Sequence, residues 1–163
     1  MWYLSYTIVM TRRIWNLIIP SRPVFDPRRN DPIDLTSLPV TPVNSFRSVL
    51  FKWLNNEFRH RHIIEKYNFV LEARDFLVKN LYTSENQYLA WLTQPTKHLL
   101  HRASQDISWA LKKVDYYTQQ LDQKNRSPEH FSGLMTELDI DLQAVDKTFH
   151  ELFFNYYSTM TRD

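Results

Sequence analysis

The sequence predicts an all-α protein: a helical bundle with a long C-terminal antiparallel helical hairpin, preceded by an extended, proline-rich N-terminal strap. Three observations support this fold class. The 163-residue chain contains one glycine, Gly133, and so is poor in turn-forming residues. Six of its eight prolines fall between Pro20 and Pro42, which excludes helix from that stretch. Beyond it, apolar residues recur every three or four positions, and no strand-like alternation occurs.

Composition excludes several classes of function. The chain has no cysteine, which rules out zinc ribbons, iron–sulfur clusters, disulfide frameworks and thiol nucleophiles. A single glycine rules out the glycine-rich loops that hold phosphates and dinucleotides. The net charge is +2, but residues 1–80 hold 12 Lys and Arg against 7 Asp and Glu, whereas residues 81–163 hold 8 against 11. This polarity suits docking between protein partners better than coating nucleic acid.

Residues 1–20 form a hydrophobic and basic N-terminal arm. The first 25 residues contain no acid and carry Arg12, Arg13 and Arg22, a composition typical of a mitochondrial targeting segment. An arm that packs its aromatic side chains on a neighbour is equally compatible. We expect its interface anchors, together with one residue of the strap, to be Trp2, Tyr3, Trp15 and Phe25.

Residues 21–44 form the predicted strap, which is too apolar for a free linker and is expected to lie along another surface. The helical domain then occupies residues 45–163. Its first part, 45–94, is predicted to hold one helix ending near Phe58, a polar break at 59–62, and a second helix over 63–80. A capping-box pattern, Ser84 with Gln87, predicts a third helix through Tyr88 to Leu92.

The second part of the helical domain, 95–158, is the predicted hairpin. Its first helix begins near Pro95 and its second at Ser127-Pro128, with a polar loop between them. Apolar residues repeat at threes and fours along both, namely Leu99, Ala103, Ile107, Ala110, Val114, Tyr117 and Leu121, then Phe131, Leu134, Leu138, Leu142, Val145, Phe149, Leu152 and Tyr156. The outer face of the last helix is expected to be acidic, including Asp139 and Asp141.

No group of residues predicts catalysis or a metal site. His60 and His62 are two positions apart and diverge on a helix, and we expect them at a solvated helix end or in contact with an acidic partner. His98 and His101 share a face, yet no acid nearby in sequence completes a metal triad. We interpret Glu72 and Asp75, three positions apart, as an ordinary pair of exposed carboxylates on a helix. We therefore expect a non-enzyme without catalytic, cofactor or metal residues of its own.

One stretch resembles a known family. Leu50-Phe51-Lys52, near the start of a helix, is similar to the Leu-Tyr-Arg signature of the mitochondrial LYR family, with Phe for Tyr and Lys for Arg. That family places a phenylalanine late in its second helix, and Phe76 lies 26 residues after Leu50. The resemblance covers residues 45–102. It implies a small three-helix protein, of which several are accessory subunits or assembly factors of respiratory complexes.

The resemblance also implies a partner. Several LYR proteins bind acyl carrier protein, whose acidic helix meets basic residues and whose acyl-phosphopantetheine enters between the helices. Beside Leu50, Phe51 and Phe76, the contacts implied for this chain are Lys52, Arg59, Arg61, Lys66 and Arg74. A second resemblance, from Glu72 to Tyr88, is to the small helical matrix-side subunit of the cytochrome bc1 complex, without its proline and tryptophan.

These observations predict a non-catalytic accessory subunit of a mitochondrial inner-membrane respiratory assembly, on the matrix side, that acts by docking to other subunits. Membrane contact by the N-terminal arm is part of this expectation. The alternative is a mitochondrial ribosomal protein that contacts rRNA phosphates through Arg22, Arg28, Arg29 and Arg47. A third hypothesis, a small helical enzyme with an acyl-type ligand between its helices, has no nucleophile–base pair to support it.

Overall fold

A computed structural model describes residues 25–26, 28–29, 31–54, 56–82, 87–123 and 128–160. These residues form helices connected by non-helical segments and contain no β-strand beyond an isolated antiparallel bridge, so the all-α prediction is confirmed. The helices are α1 (Val43–Trp53), α2 (Glu57–Asn80), α3 (Gln94–Gln123) and α4 (Pro128–Met160).

The boundary between α1 and α2 differs from the prediction. The polar run at 59–62 is no break, because α2 already begins at Glu57 and contains it. The Asn56 side chain caps this helix by accepting a 3.2 Å hydrogen bond from the Arg59 backbone N–H. Within this first turn the His60 side chain faces inward and is only 4% exposed, so the expectation that it is solvated is wrong. Phe58, predicted near the end of the first helix, lies instead in the first turn of α2 and is 80% exposed.

The predicted third helix at 84–92 is also wrong where the structure describes it. Residues 87–93 are non-helical, and Tyr88 forms an antiparallel bridge with Tyr82. The two rings stack with centroids 5.7 Å apart. Helix α3 starts only at Gln94, so Pro95 stands in its first turn, where the missing backbone N–H has no helical acceptor to lose.

Helices α3 and α4 run antiparallel over 30 and 33 residues. Thr96 near the start of α3 hydrogen-bonds to Asn155 near the end of α4, whereas Lys113 further along α3 pairs with Asp141. The apolar repeat predicted for α3 faces this interface, with five of its residues fully buried, namely Ala103, Ile107, Ala110, Val114 and Tyr117. Burial of this continuous stripe is the main force that holds the two helices together.

The acidic residues of α4 are not all on its outer face. Asp141 is 7% exposed and accepts a 2.5 Å bond from the Lys113 ammonium group, itself 8% exposed. Asp139 lies 2.7 Å from Lys66 of α2. The prediction of an outward position for both carboxylates is therefore wrong, because each is matched by a lysine from another helix.

Helix α2 lies parallel to α4 and closes the bundle. Lys66 meets Asp139, and further along both helices Phe76 meets Phe153 with ring centroids 5.8 Å apart. Among the residues fully buried along α1 and α2 and just after them are Phe46, Leu50, Ile63, Tyr67, Val70, Leu77 and Leu81.

Residues 31–42, within the predicted strap, pack on the helices. Leu35 is fully buried, and its carbonyl accepts a 2.8 Å bond from Arg74 Nε. The Thr41 carbonyl accepts a 2.7 Å bond from the Tyr67 hydroxyl. Burial, and after it the charge of Asp115, raises the pKa of Tyr67 to about 12. The phenol is therefore a proton donor to this segment at any ordinary pH.

Candidate functional site

The LYR-like stretch divides its residues between core and surface. Leu50 is fully buried in the bundle, whereas Phe51 is 60% exposed and Lys52 is exposed. The Phe51 ring lies 4.2 Å from the His60 ring, centroid to centroid. This stretch therefore contributes one core residue and one surface aromatic beside a buried histidine.

Two of the basic residues implied as acyl carrier contacts are engaged within the bundle. Lys66 is 17% exposed in its side chain and is held by Asp139. Arg74 is 19% exposed, donates to the Leu35 carbonyl and lies 3.6 Å from Asp75. Both positive charges therefore already have hydrogen-bond or ion-pair partners within this chain.

The other two arginines lie nearer the surface at the start of α2. Arg59 donates a 2.8 Å bond to the Thr136 hydroxyl of α4. Arg61 forms a 2.9 Å pair with Glu57, and both side chains are more than 70% exposed. A pair that exposed contributes roughly 0.5 kcal/mol and exchanges partners readily.

Phe76, the late phenylalanine of the resemblance, packs in an aromatic cluster between α2 and α4. Its ring meets the edge of Phe149 at 5.7 Å and approaches Phe153 at 5.8 Å, and Phe69 meets Phe149 at 5.6 Å. Phe153 in turn lies 4.4 Å from Tyr157. The cluster thus runs from the inter-helix contact outward to the surface of α4.

Several large aromatic side chains in the segment before α3 and at the end of α4 are open to solvent. They form what we call the aromatic surface: Trp91 (54% exposed), Phe153 (39%), Phe154 (76%) and Tyr157 (48%). Trp91 approaches Tyr156 at 5.9 Å, so the segment before α3 and the last turns of α4 contribute to one region. The repeat predicted for α4 includes Tyr156 but none of the four residues of this surface. A second aromatic stripe beside the core stripe was the available signal.

Of the four proposed interface anchors, the structure describes only Phe25. Phe25 is half-buried with its ring 5.8 Å from His101, and Trp2, Tyr3 and Trp15 lie outside the described residues. His101 Nδ1 is 3.0 Å from the Tyr88 hydroxyl, and burial lowers the pKa of this histidine. The neutral ring therefore packs on Phe25 as an ordinary aromatic group.

A groove of about 400 Å³ lies between α1 and α2. It is lined by Arg47, Phe51, Glu57, His60, Arg61, Ile64, Glu65 and Asn68. His60 is the buried polar residue in it, and its Nε2 has no hydrogen-bond partner among the described residues. Sequence reasoning missed this feature, because it interpreted His60 as part of a solvated polar run.

A smaller groove of about 280 Å³ lies between α2 and α4. Its wall includes Lys66, Phe69 and Asp146. His150 stacks on Phe69 at 5.8 Å and its Nδ1 is 2.7 Å from the Asp146 carbonyl. Within this wall Gln143 Nε2 is 3.5 Å from Asp146 Oδ2, and the Lys66 ammonium group is held by Asp139.

Within the described residues, no three histidines or acids gather in a geometry that could hold a metal ion. Glu72 and Asp75 are both exposed, as expected. No helix in the described parts of the chain combines the length and the apolarity that a transmembrane helix requires. Comparison with known proteins adds no assignment, since no family model, no curated protein and no solved structure matches this chain.

Proposed function

We propose that this protein is a non-catalytic accessory subunit of a mitochondrial inner-membrane respiratory assembly, located on the matrix side, and that it works by docking to other protein subunits. The observation that carries the docking role is the aromatic surface. Large apolar rings that are exposed near one another are unfavourable in water and typical of protein–protein interfaces.

The rings are well suited to that role because their positions are already fixed. Phe153 is held between Phe76 and Tyr157, and Trp91 is held against Tyr156. These rings therefore lose little side-chain entropy when a partner covers them, which favours affinity. Phe154, at 76% exposure, is the residue with the most surface left to bury.

The cellular setting rests on the sequence. The acid-free first 25 residues resemble a mitochondrial targeting segment, and Leu50-Phe51-Lys52 resembles the LYR signature. Acyl carrier protein is the partner that this resemblance suggests. Because Lys66 and Arg74 serve the bundle itself, we expect an acidic partner to use Lys52, Arg59 and Arg61 at the corner of α1 and α2.

The test is purification of the tagged chain in mild detergent from the cells that express it, followed by mass spectrometry of the proteins retained at moderate salt. We expect respiratory-chain subunits to co-purify with the natural chain. The double substitution Trp91→Gln and Phe154→Gln is expected to abolish this co-purification. Ile140→Gln is the matched control, because Ile140 is 61% exposed on α4 but lies outside the aromatic surface. Retention of the same partners by the double variant would contradict the docking role.

A second candidate function is rRNA contact in a mitochondrial ribosome. The observation that favours it is the exposure of the basic residues near the N-terminus, with the Arg28 side chain 94% exposed and Arg29 also exposed. The same purification separates the two functions. Contacts with several phosphates weaken steeply between low and moderate salt, whereas a dry aromatic interface does not. Ribosomal proteins and rRNA that are lost as salt rises would favour this second function.

A further inference from the structure

Each wall of the groove between α1 and α2 is formed by residues four positions apart on one helix face. Arg47 and Phe51 are four residues apart on one face of α1, and His60, Ile64 and Asn68 repeat at fours along one face of α2. Phe51 and Ile64 supply an apolar floor. Its volume of about 400 Å³ falls in the range of small-molecule sites, which is roughly 300–1,000 Å³.

His60 is the feature that ordinary packing does not explain. The side chain is 4% exposed and its Nε2 has no hydrogen-bond partner among the described residues. Buried polar atoms in folded proteins nearly always have a partner, and an exception points to a missing ligand or water. His60 lines the groove, but its Nε2 is closed to solvent as the ring stands. A group bound in the groove can provide the missing partner when the imidazole ring rotates towards it.

The groove wall carries two arginines and two glutamates, so the kind of ligand depends on which of these charges face the groove without a partner. Arg47 is exposed and makes no ion pair or hydrogen bond among the described residues. Arg61 and Glu57 neutralise each other. Glu65 also lines the smaller groove on the other side, so it stands on the ridge between the two grooves. The His60 ring also lies in the first turn of α2, where the helix dipole favours negative charge.

We propose that this groove binds an organic anion, a phosphate or carboxylate group carried on a small apolar body. The anionic oxygen accepts a hydrogen bond from His60 Nε2–H and pairs with the Arg47 guanidinium group. The apolar body lies on Phe51 and Ile64. This site is separate from the aromatic surface, so the purification test of that surface and the binding test of the groove can fail independently. An acidic partner at the α1–α2 corner would share Arg61 with the groove.

The experiment uses the 163-residue chain labelled with ¹⁵N at histidine, titrated with phenyl phosphate, with phenylacetate and with inorganic phosphate. We expect a saturable shift of the His60 Nε2 resonance with at least one of the two organic anions. The same organic anion binds more tightly than inorganic phosphate, because only the organic anion covers the apolar floor.

Three variants test the assignment of residues. Arg47→Gln is expected to weaken binding by about tenfold, the effect of losing one charge-assisted bond. His60→Phe removes the hydrogen bond and is expected to abolish the saturable binding. Arg102→Gln, an exposed arginine of α3 outside the groove, is the control and leaves binding unchanged.

The proposal is overturned if neither organic anion shifts the His60 resonance, or if Arg47→Gln and Arg102→Gln bind alike. Equal affinity for inorganic phosphate and phenyl phosphate also contradicts it, because the apolar floor then has no role. Should His60→Phe disturb folding, seen as lost dispersion in the NMR spectrum, the Arg47 comparison still decides, since Arg47 is an exposed residue that the fold does not need.

Discussion

The α3–α4 interface and the α1–α2 corner both bury polar side chains, but only the α3–α4 interface gives the buried groups a partner of opposite charge. Between α3 and α4, the Lys113 ammonium group meets Asp141 at 2.5 Å and also lies 5.4 Å above the Trp109 ring. At the α1–α2 corner, His60 is as deeply buried but its Nε2 has no partner among the described residues. A buried ion pair fixes how two helices sit against each other, whereas a buried polar atom without a partner on the wall of a groove marks a place for a ligand.

Trp109 shows that an unpartnered buried atom is not sufficient by itself. Its indole Nε1 is also buried without a hydrogen-bond partner among the described residues. Trp109 lines neither the groove between α1 and α2 nor the one between α2 and α4, and its ring already receives the Lys113 charge. The combination of an unpartnered atom with an open cavity, not the unpartnered atom alone, distinguishes His60.

The largest expected effect comes from breaking the ion pair of the α3–α4 interface. Lys113→Met leaves the Asp141 carboxylate buried without its lysine and is expected to lower the free energy of unfolding by about 3–5 kcal/mol. Urea unfolding followed by circular dichroism measures this. Lys112→Met is the matched control, because the neighbouring lysine is exposed on the same helix and its loss should change stability by less than about 0.5 kcal/mol.

A double variant, Lys113→Met with Asp141→Leu, sharpens that prediction. Replacing both charges by apolar side chains of similar volume is expected to recover most of the lost stability. If the single and double variants are equally unstable, the cause is packing of the lysine chain and not the uncompensated carboxylate.

The next effect concerns the hydroxyl pair that fixes the end of α2 to α3. Tyr82 and Ser104 are both buried and hydrogen-bonded to each other, and burial raises the pKa of Tyr82 to about 12. Tyr82→Phe leaves the Ser104 hydroxyl without this partner and should lower the free energy of unfolding by about 1 kcal/mol at neutral pH. Urea unfolding at pH 7 makes the measurement, and an unchanged midpoint would contradict a stabilising role for the pair.

The same tyrosine gives a pH dependence with a definite sign. Its pKa in the folded chain, about 12, exceeds the value of 10.0 expected for an unfolded tyrosine. The folded state therefore holds the phenol proton more tightly, so its contribution to stability is complete below pH 10 and is lost as the pH rises towards 12. The stability of Tyr82→Phe should decline less than that of the natural chain over this interval. Parallel declines would show that folding does not raise the pKa of Tyr82.

The corner of α1 and α2 should respond in the opposite direction. His60→Phe removes a buried polar atom without a partner and keeps an aromatic ring against Phe51, so it is expected to raise the free energy of unfolding by about 1 kcal/mol. His62→Phe, which changes an exposed histidine two residues away, serves as the control and should have little effect. A loss of stability in His60→Phe would mean that the imidazole already has its partner, and the contrast between the two regions would fail.

The sequence predicted α3 and α4 well and α1 and α2 poorly, for a physical reason. Along α3 the buried positions of the predicted stripe are apolar, and periodicity detects such residues directly. The first turn of α2 buries a histidine between two arginines, and hydrophobic periodicity cannot see a polar side chain that faces inward. Asp141 was misplaced for a related reason, because the lysine that makes its burial possible is 28 residues away on another helix.

The candidate sites follow the same pattern. Phe51 and Arg61 were singled out from the sequence and do line the groove, but the residue that gives the groove its chemistry, His60, was assigned to solvent. The aromatic surface was missed because its three residues on α4 flank the core stripe of that helix instead of lying on it. Which aromatic residues remain exposed depends on how α2 covers α4, and that arrangement is not encoded in the spacing of one helix.

The smallest expected effect is on the stability of the aromatic surface itself. Because Phe154 is 76% exposed, Phe154→Gln should change the free energy of unfolding by less than about 0.5 kcal/mol, while Leu152→Ala, at a position only 1% exposed on the same helix, should lower it by about 2–5 kcal/mol. Urea unfolding of both variants makes the measurement. A small effect of Phe154→Gln on folding would leave this ring available to a partner, as the proposed docking role requires. If Phe154→Gln proved as destabilising as Leu152→Ala, the ring would belong to the fold and the docking role would lose its central residue.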